Sequence, residues 1–484
     1  MDLPHFTIGG HNWTFWLGWV WTLSSVIVTT WVILQRRSPV STLAWIMVLN
    51  LMPVIGLAVY AYFGPQRVKR QRLRRWHSRA ALMSQRDMHR LRTDRPDAPA
   101  WAVQHARLIE ASCGIPPSSV QSVDILASGG ATLEALLREV GAAEHHVHLE
   151  YYIFEPDQTG TLLLNALTAK ARTGVEVRLL VDGIGSPALL SRKHRQLLDE
   201  FRAAGGELAV FHPARLDRLR PLVNLRTHRK IVVVDGRVGL LGGINVTDDE
   251  NEHFRPHDAY RDTHLLLRGG AVRWLQYVFL QDWHYANGRP PRGEAEFLPD
   301  VAAGDLPVQI VASGPDTDGE AIHRAMIDAL NMARQRIWLA TPYFVPTEAA
   351  LLALTNAALR GVQVKLIVPE RSDSRVVTWA ARSYYDELTR VGVQILEYGP
   401  RMLHAKTLVV DRHLAYIGTA NFDFRSFMLN FEVNVALFNE TANRDLAAMF
   451  ESDSAQCTRV PRRRVLGLAA RLTEANARLL SPLL

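Results

Sequence analysis

His228-Arg229-Lys230-Ile231-Val232-Val233-Val234-Asp235 is one stretch of the chain, and it recurs further on as His404-Ala405-Lys406-Thr407-Leu408-Val409-Val410-Asp411. In each copy a histidine and a lysine two residues apart precede an apolar run rich in β-branched residues, which is typical of a buried strand. Since side chains alternate along an extended strand, the histidine and the lysine project to the same side and can contact one ligand. The aspartate then indicates the turn that ends the strand.

Two further segments repeat in the same order. Residues 149–156 resemble residues 339–346, and residues 174–181 resemble residues 361–368. The period is far longer than the roughly 20–50 residues of solenoid repeats. The sequence therefore predicts two similar halves, not an array.

Short apolar runs alternate with helical patterns in each half, for example at residues 162–171 and 349–359. This alternation predicts an α/β fold of two homologous halves, each a mixed β-sheet flanked by helices. The predicted domains are a hydrophobic helical hairpin at 1–65, a basic juxtamembrane linker at 66–120, the first half at 121–286, an inter-half linker at 287–306, the second half at 307–460 and a basic amphipathic C-terminal segment at 461–484.

Composition limits the class of protein. The 484 residues are 48% hydrophobic and 21% charged, which is ordinary globular usage and excludes a wholly disordered or collagen-like chain. Two cysteines, Cys113 and Cys457, exclude a disulfide framework and a four-thiolate zinc site. The net charge of +7 favours an anionic partner such as nucleic acid, a membrane surface or a phosphorylated substrate.

The N-terminus predicts membrane attachment. Residues 12–35 and 38–65 carry no charge, and each stretch reaches the ~20 residues that span a bilayer. We expect two transmembrane helices, or a re-entrant hairpin because Pro53 and Gly56 interrupt the second run. Seven basic residues between Arg67 and Arg79 place the downstream chain in the cytoplasm. The C-terminal segment is expected either to pack on the second half or to contact the membrane.

Asparagines follow both motifs at equivalent positions. Asn245 comes after Gly242-Gly243-Ile244, and Asn421 comes after Gly418-Thr419-Ala420. Small residues let backbone N–H groups approach an anion, and an asparagine amide can donate to a phosphate oxygen. Two histidines, two lysines and two asparagines on a pseudo-twofold axis would clamp one phosphate. No metal or cofactor is expected, because the lysines can stabilise the developing charge.

The doubled His-x-Lys-x-x-x-x-Asp pattern resembles the phospholipase D superfamily, and the whole chain resembles the bacterial cardiolipin synthases within it. The stretches that carry the closer resemblance are the hydrophobic segments joined by Arg36-Arg37-Ser38-Pro39, then residues 149–154, 260–264, 403–406, 418–426, 429–433 and 481–484.

The resemblance implies a phosphatidyltransferase. One histidine would attack the phosphorus of phosphatidylglycerol and form a phosphohistidine, while the other protonates the departing glycerol. A second phosphatidylglycerol would then accept the phosphatidyl group, giving cardiolipin. It also implies His228 as the nucleophile and His404 as general acid and then base. Expected partners are phosphatidylglycerol, other anionic phospholipids and the membrane, without nucleic acid, in a multi-pass protein of the bacterial inner membrane whose catalytic part is cytoplasmic.

Each histidine needs an acceptor that orients its second ring nitrogen. Asp262 and Glu432 are the candidates, although ordinary sheet or surface carboxylates explain them too. The motif aspartates are explained equally by catalysis and by support of the turn. The predicted catalytic residues are His228, Lys230, Asp235, His404, Lys406 and Asp411. The predicted supporting and phosphate-binding residues are Asn245, Asn421, Asp262 and Glu432.

Several alternatives remain open. The same motifs fit a membrane-bound phospholipase D or a transphosphatidylase with a different donor or acceptor alcohol. They also fit a nuclease of the superfamily, which the hydrophobic hairpin disfavours, whereas paired intact motifs disfavour a non-enzymatic membrane-binding protein. The polar stretch at residues 248–258 is either a lid or a surface loop.

Overall fold

The computed structural model describes residues 7–8, 11–35, 39–52, 55–56, 60, 91, 98–213, 225–289, 294–316 and 320–481. The predicted basic cluster at 67–79, part of the linker at 287–306 and the last three residues lie outside this set. The chain forms two compact units, Met1–Gln71 and Arg72–Leu484. The detailed domain boundaries stay a prediction.

The described part of the first unit includes the helices Trp13–Ile33 and Pro39–Leu51, which follow the short antiparallel strands β1 (Thr7–Ile8) and β2 (His11–Asn12). Its small core surrounds Tyr60, whose ring lies 5.1 Å from Trp31 and 4.9 Å from Trp45 between ring centroids.

The prediction of two spanning helices is not supported. Among the described residues, none of the helices combines the length and the hydropathy that a bilayer crossing requires. The second helix has 13 residues, and at ~1.5 Å per residue it rises about 20 Å, less than the ~30 Å hydrocarbon core. The first helix includes the polar residues Thr22, Ser24 and Ser25.

The first half of the second unit is a seven-stranded mixed sheet. Its strands are β4 (Ser122–Leu126), β5 (His146–Tyr151), β6 (Glu176–Asp182), β7 (Glu207–Phe211), β8 (Ile231–Val234), β9 (Val238–Gly242) and β10 (His264–Arg268). They are ordered β4-β10-β9-β8-β5-β6-β7. Strands β5, β6 and β7 run parallel, and the remaining pairs are antiparallel.

The second half repeats this order with two strands added at the edges. Its strands are β3 (Ser118–Val120), β11 (Leu306–Ser313), β12 (Arg336–Ala340), β14 (Gln363–Pro369), β15 (Gln394–Tyr398), β16 (Thr407–Val410), β17 (Leu414–Gly418), β19 (Glu432–Leu437) and β20 (Cys457–Arg459). The sheet runs β20-β15-β14-β12-β16-β17-β19-β11-β3. The short strands β13 (Phe344–Val345) and β18 (Phe422–Asp423) pair in parallel.

Strand register confirms the duplication. Leu149 pairs with Leu179 and Val232, and its repeat counterpart Leu339 pairs with Leu366 and Leu408. Each partner in the second half is the residue that the sequence repeat matches to the partner in the first. The two homologous α/β halves are therefore the observed architecture.

Helices cover the sheets of the second unit. They span Val103–Cys113, Gly129–Ala142, Gln158–Arg172, Arg195–Ala203, Val272–Asn287, Ala321–Met332, Glu348–Leu359, Arg375–Arg382, Tyr385–Arg390, Phe424–Met428, Glu440–Ser454 and Leu468–Leu479. Side chains of β8 alternate between two cores: Ile231 and Val233 lie in a cluster shared with the second half, whereas Val232 and Val234 face the helices of the first.

Candidate active site

Both repeated motifs reach one cavity. The cavity has a volume of about 600 Å³, and His228 and His404 line it together with Asn245 and Asn421. Each histidine lies just before the strand that its motif continues into, β8 or β16. The structure therefore brings the paired histidines and asparagines to a single site between the halves.

Glu432 orients His228. Its Oε2 lies 3.0 Å from Nδ1 of His228 and also accepts from the Thr419 hydroxyl at 2.5 Å. Asn430 donates its amide Nδ2 to Oε1 at 3.2 Å. Burial alone would raise the pKa of Glu432, but His228 and Lys230 outweigh it and hold this pKa below its usual value. An ionised Glu432 accepts only, so Nδ1 of His228 carries the proton and Nε2 keeps its lone pair.

Asp262 has the matching position beside His404. Its Oδ2 lies 2.6 Å from Nδ1 of His404 and 3.3 Å from Nζ of Lys406. The backbone N–H of Thr263 donates to Oδ1 at 2.6 Å. Burial opposes ionisation, yet Lys406 and His404 lower the pKa of Asp262 to about 2.

Each histidine is oriented by a carboxylate from the other half. A backbone hydrogen bond joins each histidine to the residue just before that carboxylate. The N–H of His228 donates to the Phe431 carbonyl at 2.9 Å, next to Glu432. The N–H of His404 donates to the Arg261 carbonyl at 2.8 Å, next to Asp262. Neither half alone supplies a complete site.

The motif lysines are buried behind the histidines. Lys230 is 0% and Lys406 4% exposed. Lys230 Nζ donates to the His228 carbonyl at 3.0 Å, and Lys406 Nζ donates to the His404 carbonyl. Burial, reinforced by repulsion from Lys406, lowers the pKa of Lys230 to about 8. Neither lysine lines the cavity itself, and the two ammonium groups place positive charge directly beside the histidines that do.

His228 has the protonation state that a nucleophile needs. Burial is the largest effect on it, and repulsion from Lys230 adds to burial, so its pKa is lowered to about 4 despite Glu432. At neutral pH the ring is therefore uncharged, and Nε2 is available to attack phosphorus.

The motif aspartates do not line the cavity. Asp235 accepts from the backbone N–H groups of Glu144, His145 and His146. Asp411 accepts from the N–H groups of residues 334–336 in the equivalent place. Both have a positive φ, 52° and 48°. Their geometry supports the turn and fixes the strand beyond the lysine, and the interpretation as direct catalysts loses its geometric basis.

We expect Asp411→Ala to lower stability and leave the turnover number within threefold of the wild type. The change leaves three backbone N–H groups without their acceptor, which lowers the free energy of unfolding by about 1–3 kcal/mol. It also places alanine at a positive φ. Urea unfolding followed by tryptophan fluorescence measures the loss. Asp411→Asn, which keeps an acceptor and tolerates this φ, is the control with a smaller loss. A large fall in turnover at unchanged stability would instead make Asp411 catalytic.

The amide groups of the asparagines are already oriented by carboxylates. Asn245 donates Nδ2 to Glu250 Oε1 at 2.6 Å, and Asn421 donates Nδ2 to Asp423 Oδ2 at 3.3 Å. An amide nitrogen carries two hydrogens. One hydrogen of each amide is therefore committed to a carboxylate, and donation of the other to a phosphate oxygen stays a prediction.

The polar stretch at 248–258 builds part of the site. Asp248 accepts from the N–H groups of Gln158 and Thr159 at the start of a helix. Glu250 is 2% exposed and lines the cavity. The stretch divides in two: residues 248–251 support the cavity wall, whereas residues 255–258 are exposed, as in a surface loop.

Sequence reasoning missed other residues of the wall. Tyr152, Arg226, Arg425 and Asn430 line the cavity without belonging to either motif. Arg226 and Asn430 lie two residues before His228 and Glu432, so alternation along an extended chain is the signal that points to them.

One set of side chains has metal-ligand character. Within the described ranges, ligand atoms of Glu250, Asp262 and His404 lie within 4.8 Å of one another. The Lys406 ammonium, at 3.3 Å from Asp262, already supplies positive charge there. These side chains can orient His404 and hold the ammonium group without a metal.

Two histidines with crosswise carboxylates, two buried lysines and a duplicated α/β frame define a phospholipase D-like enzyme. Comparison with known proteins makes the assignment finer. The family model described as "Cardiolipin synthase, PLD-like domain" matches residues 136–259 and 326–454, and one described as "Phospholipase_D-nuclease N-terminal" matches residues 19–65. The chain belongs to the cardiolipin synthase family of phospholipase D-like proteins.

Similar proteins agree along nearly the full length. A cardiolipin synthase of Geobacillus kaustophilus is 39% identical and covers 97% of this chain and 95% of its own. The cardiolipin synthase of Geobacillus thermodenitrificans is 40% identical, and the match covers 95% of this chain and 92% of that protein. The solved phosphatidylserine synthase of Haemophilus influenzae has a TM-score of 0.60 at 13% identity, covering 79% of this chain and 100% of its own, which shows a common fold.

Proposed function

We propose that this chain, a phosphatidyltransferase of the cardiolipin synthase type, transfers a phosphatidyl group from one phosphatidylglycerol to another. The products are cardiolipin and glycerol. The observation that carries the mechanism is the pair of crosswise oriented histidines on one cavity, with His228 held neutral. No cofactor takes part in the proposed steps.

In the first step Nε2 of His228 attacks phosphorus, and the bond from phosphorus to the glycerol oxygen breaks. The departing oxygen takes a proton from His404, which Asp262 keeps in place. Lys230 and Lys406 stabilise the charge that develops on the phosphoryl oxygens. The enzyme then holds a phosphatidyl-histidine, and glycerol is released.

In the second step a hydroxyl of another phosphatidylglycerol attacks the same phosphorus. His404 accepts the hydroxyl proton as general base, and the bond between phosphorus and His228 breaks. Cardiolipin leaves, and both histidines return to their starting states. A covalent intermediate explains why transfer needs no nucleotide.

The test uses the purified full chain and phosphatidylglycerol labelled in its terminal glycerol and in its acyl chains. We expect acyl label in cardiolipin and one free glycerol for each cardiolipin formed. Phosphatidic acid as the main product would show a hydrolytic phospholipase D, and cleavage of a labelled oligonucleotide in a parallel assay would show a nuclease.

Two buried amide oxygens favour a headgroup with hydroxyls. Among the described residues, Oδ1 of Asn421 and Oδ1 of Asn430 are buried without a hydrogen-bond partner, and both residues line the cavity. Each amide nitrogen faces a carboxylate, Asp423 or Glu432, so the oxygens face away from it. An ionised phosphodiester has no hydrogen-bond donor for these amide oxygens, whereas the hydroxyls of a glycerol headgroup can donate to them. This supports phosphatidylglycerol as donor or acceptor.

We therefore expect Asn430→Leu to weaken discrimination between phosphatidylglycerol and phosphatidylpropanol, a donor without headgroup hydroxyls. Loss of one hydrogen bond of about 0.5–1.5 kcal/mol predicts a ratio of kcat/KM values about 3–10 times smaller. Thr419→Val is the matched control, because Thr419 also donates to Glu432 but does not line the cavity. An equal loss on both donors in Asn430→Leu would mean that Asn430 only positions Glu432.

We also propose that the enzyme works at the bacterial inner membrane, with the N-terminal unit as its attachment. Exposed apolar side chains on the helix Trp13–Ile33 support this, among them Trp19, Leu23 and Ile27.

A further inference from the structure

The C-terminal helix, Leu468–Leu479, presents its apolar side to solvent. Leu468, Leu472 and Leu479 are 72%, 54% and 77% exposed, and the spacing of four and seven residues puts them on one face. Val465, just before the helix, is fully exposed. A helix that only packs on a soluble protein turns such a face inward.

The buried side of this helix is polar and small. Glu474 and Ala477 are its buried residues. Glu474 binds Arg464 at 3.0 Å, and Arg464 also binds Asp386 at 2.9 Å. The Arg478 guanidinium lies 4.2 Å from the ring centroid of Tyr384. These contacts fix the helix with its leucines outward, so their exposure does not come from a detached terminus.

Basic residues flank the leucines. Arg462, Arg463 and Arg471 are exposed. Leucines on one face with arginines beside them are the pattern of a helix that lies in the plane of an anionic membrane.

The helix is connected to the wall of the cavity. It packs on the neighbouring helix Arg375–Arg382. Ala477 belongs to the same hydrophobic cluster as Val377, and Val377 lines the cavity. The leucine face is thus one helix away from the wall of the cavity that the lipid headgroup must enter.

We propose that this face, formed by Val465, Leu468, Leu472 and Leu479, docks on an anionic phospholipid bilayer and holds the cavity at the membrane surface. The occupant is the lipid surface, since the face is apolar with a basic border and adjoins a lipid-processing site. This rests on the proposed function, because the reason for docking is delivery of phosphatidylglycerol.

The first test compares the full-length double variant Leu468→Glu/Leu472→Glu with wild type on two forms of substrate. One is phosphatidylglycerol in vesicles, and the other is dihexanoyl phosphatidylglycerol below its micelle concentration. We expect at least about a tenfold loss on vesicles, since two leucines that the bilayer would cover become charged, and less than a threefold change on the dispersed lipid. The matched control is Leu352→Glu/Leu359→Glu, two leucines exposed to 59% and 70% on another helix. Unchanged vesicle activity in the first variant would overturn the proposal.

A second measurement is independent of activity. An environment-sensitive fluorophore at Leu472→Cys, in a chain with Cys113→Ala and Cys457→Ala, is expected to shift to the blue with phosphatidylglycerol vesicles and to be quenched by nitroxide lipids. A blue shift without vesicles would overturn the proposal. If that shift depends on protein concentration, a second copy of the chain covers the face. If it does not, another part of the same chain covers it. A wild type inactive on both substrates, but with lipid quenching intact, would reject the proposed function and keep the docking.

Discussion

Replacing His228 by alanine should abolish the phosphatidyl-enzyme, whereas replacing His404 should leave it able to form slowly. In the proposed mechanism the neutral ring of His228, with its pKa lowered to about 4, is the nucleophile, so without it no bond to phosphorus forms. Overall turnover should fall on the order of 10³-fold or more. His404 only moves protons, a contribution of roughly 10²–10⁴-fold. The measurement is acid-labile, base-stable labelling of the protein by acyl-labelled donor.

The choice of donor sharpens this comparison. A phosphatidyl ester of p-nitrophenol has a leaving group that needs no proton, so His404→Ala should form the labelled enzyme from it faster than from phosphatidylglycerol. His228→Ala should form none from either donor. A labelled intermediate in His228→Ala that is missing in His404→Ala would reverse the assignment.

The strands that hold the site could be predicted from the sequence because each repeated motif supports the assignment of its counterpart. Motifs in the same order predict equivalent strands, and the register of β5 and β12 confirms them. The pairing of carboxylates was less predictable. Sequence proposes Asp262 and Glu432 as acceptors, but only the bridges at Phe431 and Arg261 decide that each serves the other half's histidine.

The rest of the wall depends on tertiary packing. Glu250 belongs to a polar stretch that resembles a surface loop in sequence, yet it is buried against Asn245. The uncharged runs predict spanning helices from their length and composition. The end of a helix depends on local residues instead, and the second helix stops after 13 residues. The position of the C-terminal leucines also follows from contacts, since the Glu474 to Arg464 ion pair decides which face turns inward.

The crosswise carboxylates predict two variants with different signatures, Asp262→Asn and Glu432→Gln. Either amide can donate a hydrogen bond to its histidine and so favour the wrong tautomer. Each substitution also removes a negative charge that lies next to a buried lysine. We expect the turnover of phosphatidylglycerol to fall on the order of 10²–10⁴-fold in both. Circular dichroism and thermal unfolding check that each variant is folded.

The donor separates their roles. Asp262 acts through His404, so Asp262→Asn should recover much of its rate of enzyme labelling when p-nitrophenol is the leaving group. Glu432 acts through the nucleophile, so Glu432→Gln should stay slow with both donors. If the two variants respond equally to the leaving group, then the carboxylates do not divide their work between a nucleophile and an acid. In that case the exchange of Glu432 and Asp262 between the halves serves assembly of the site alone.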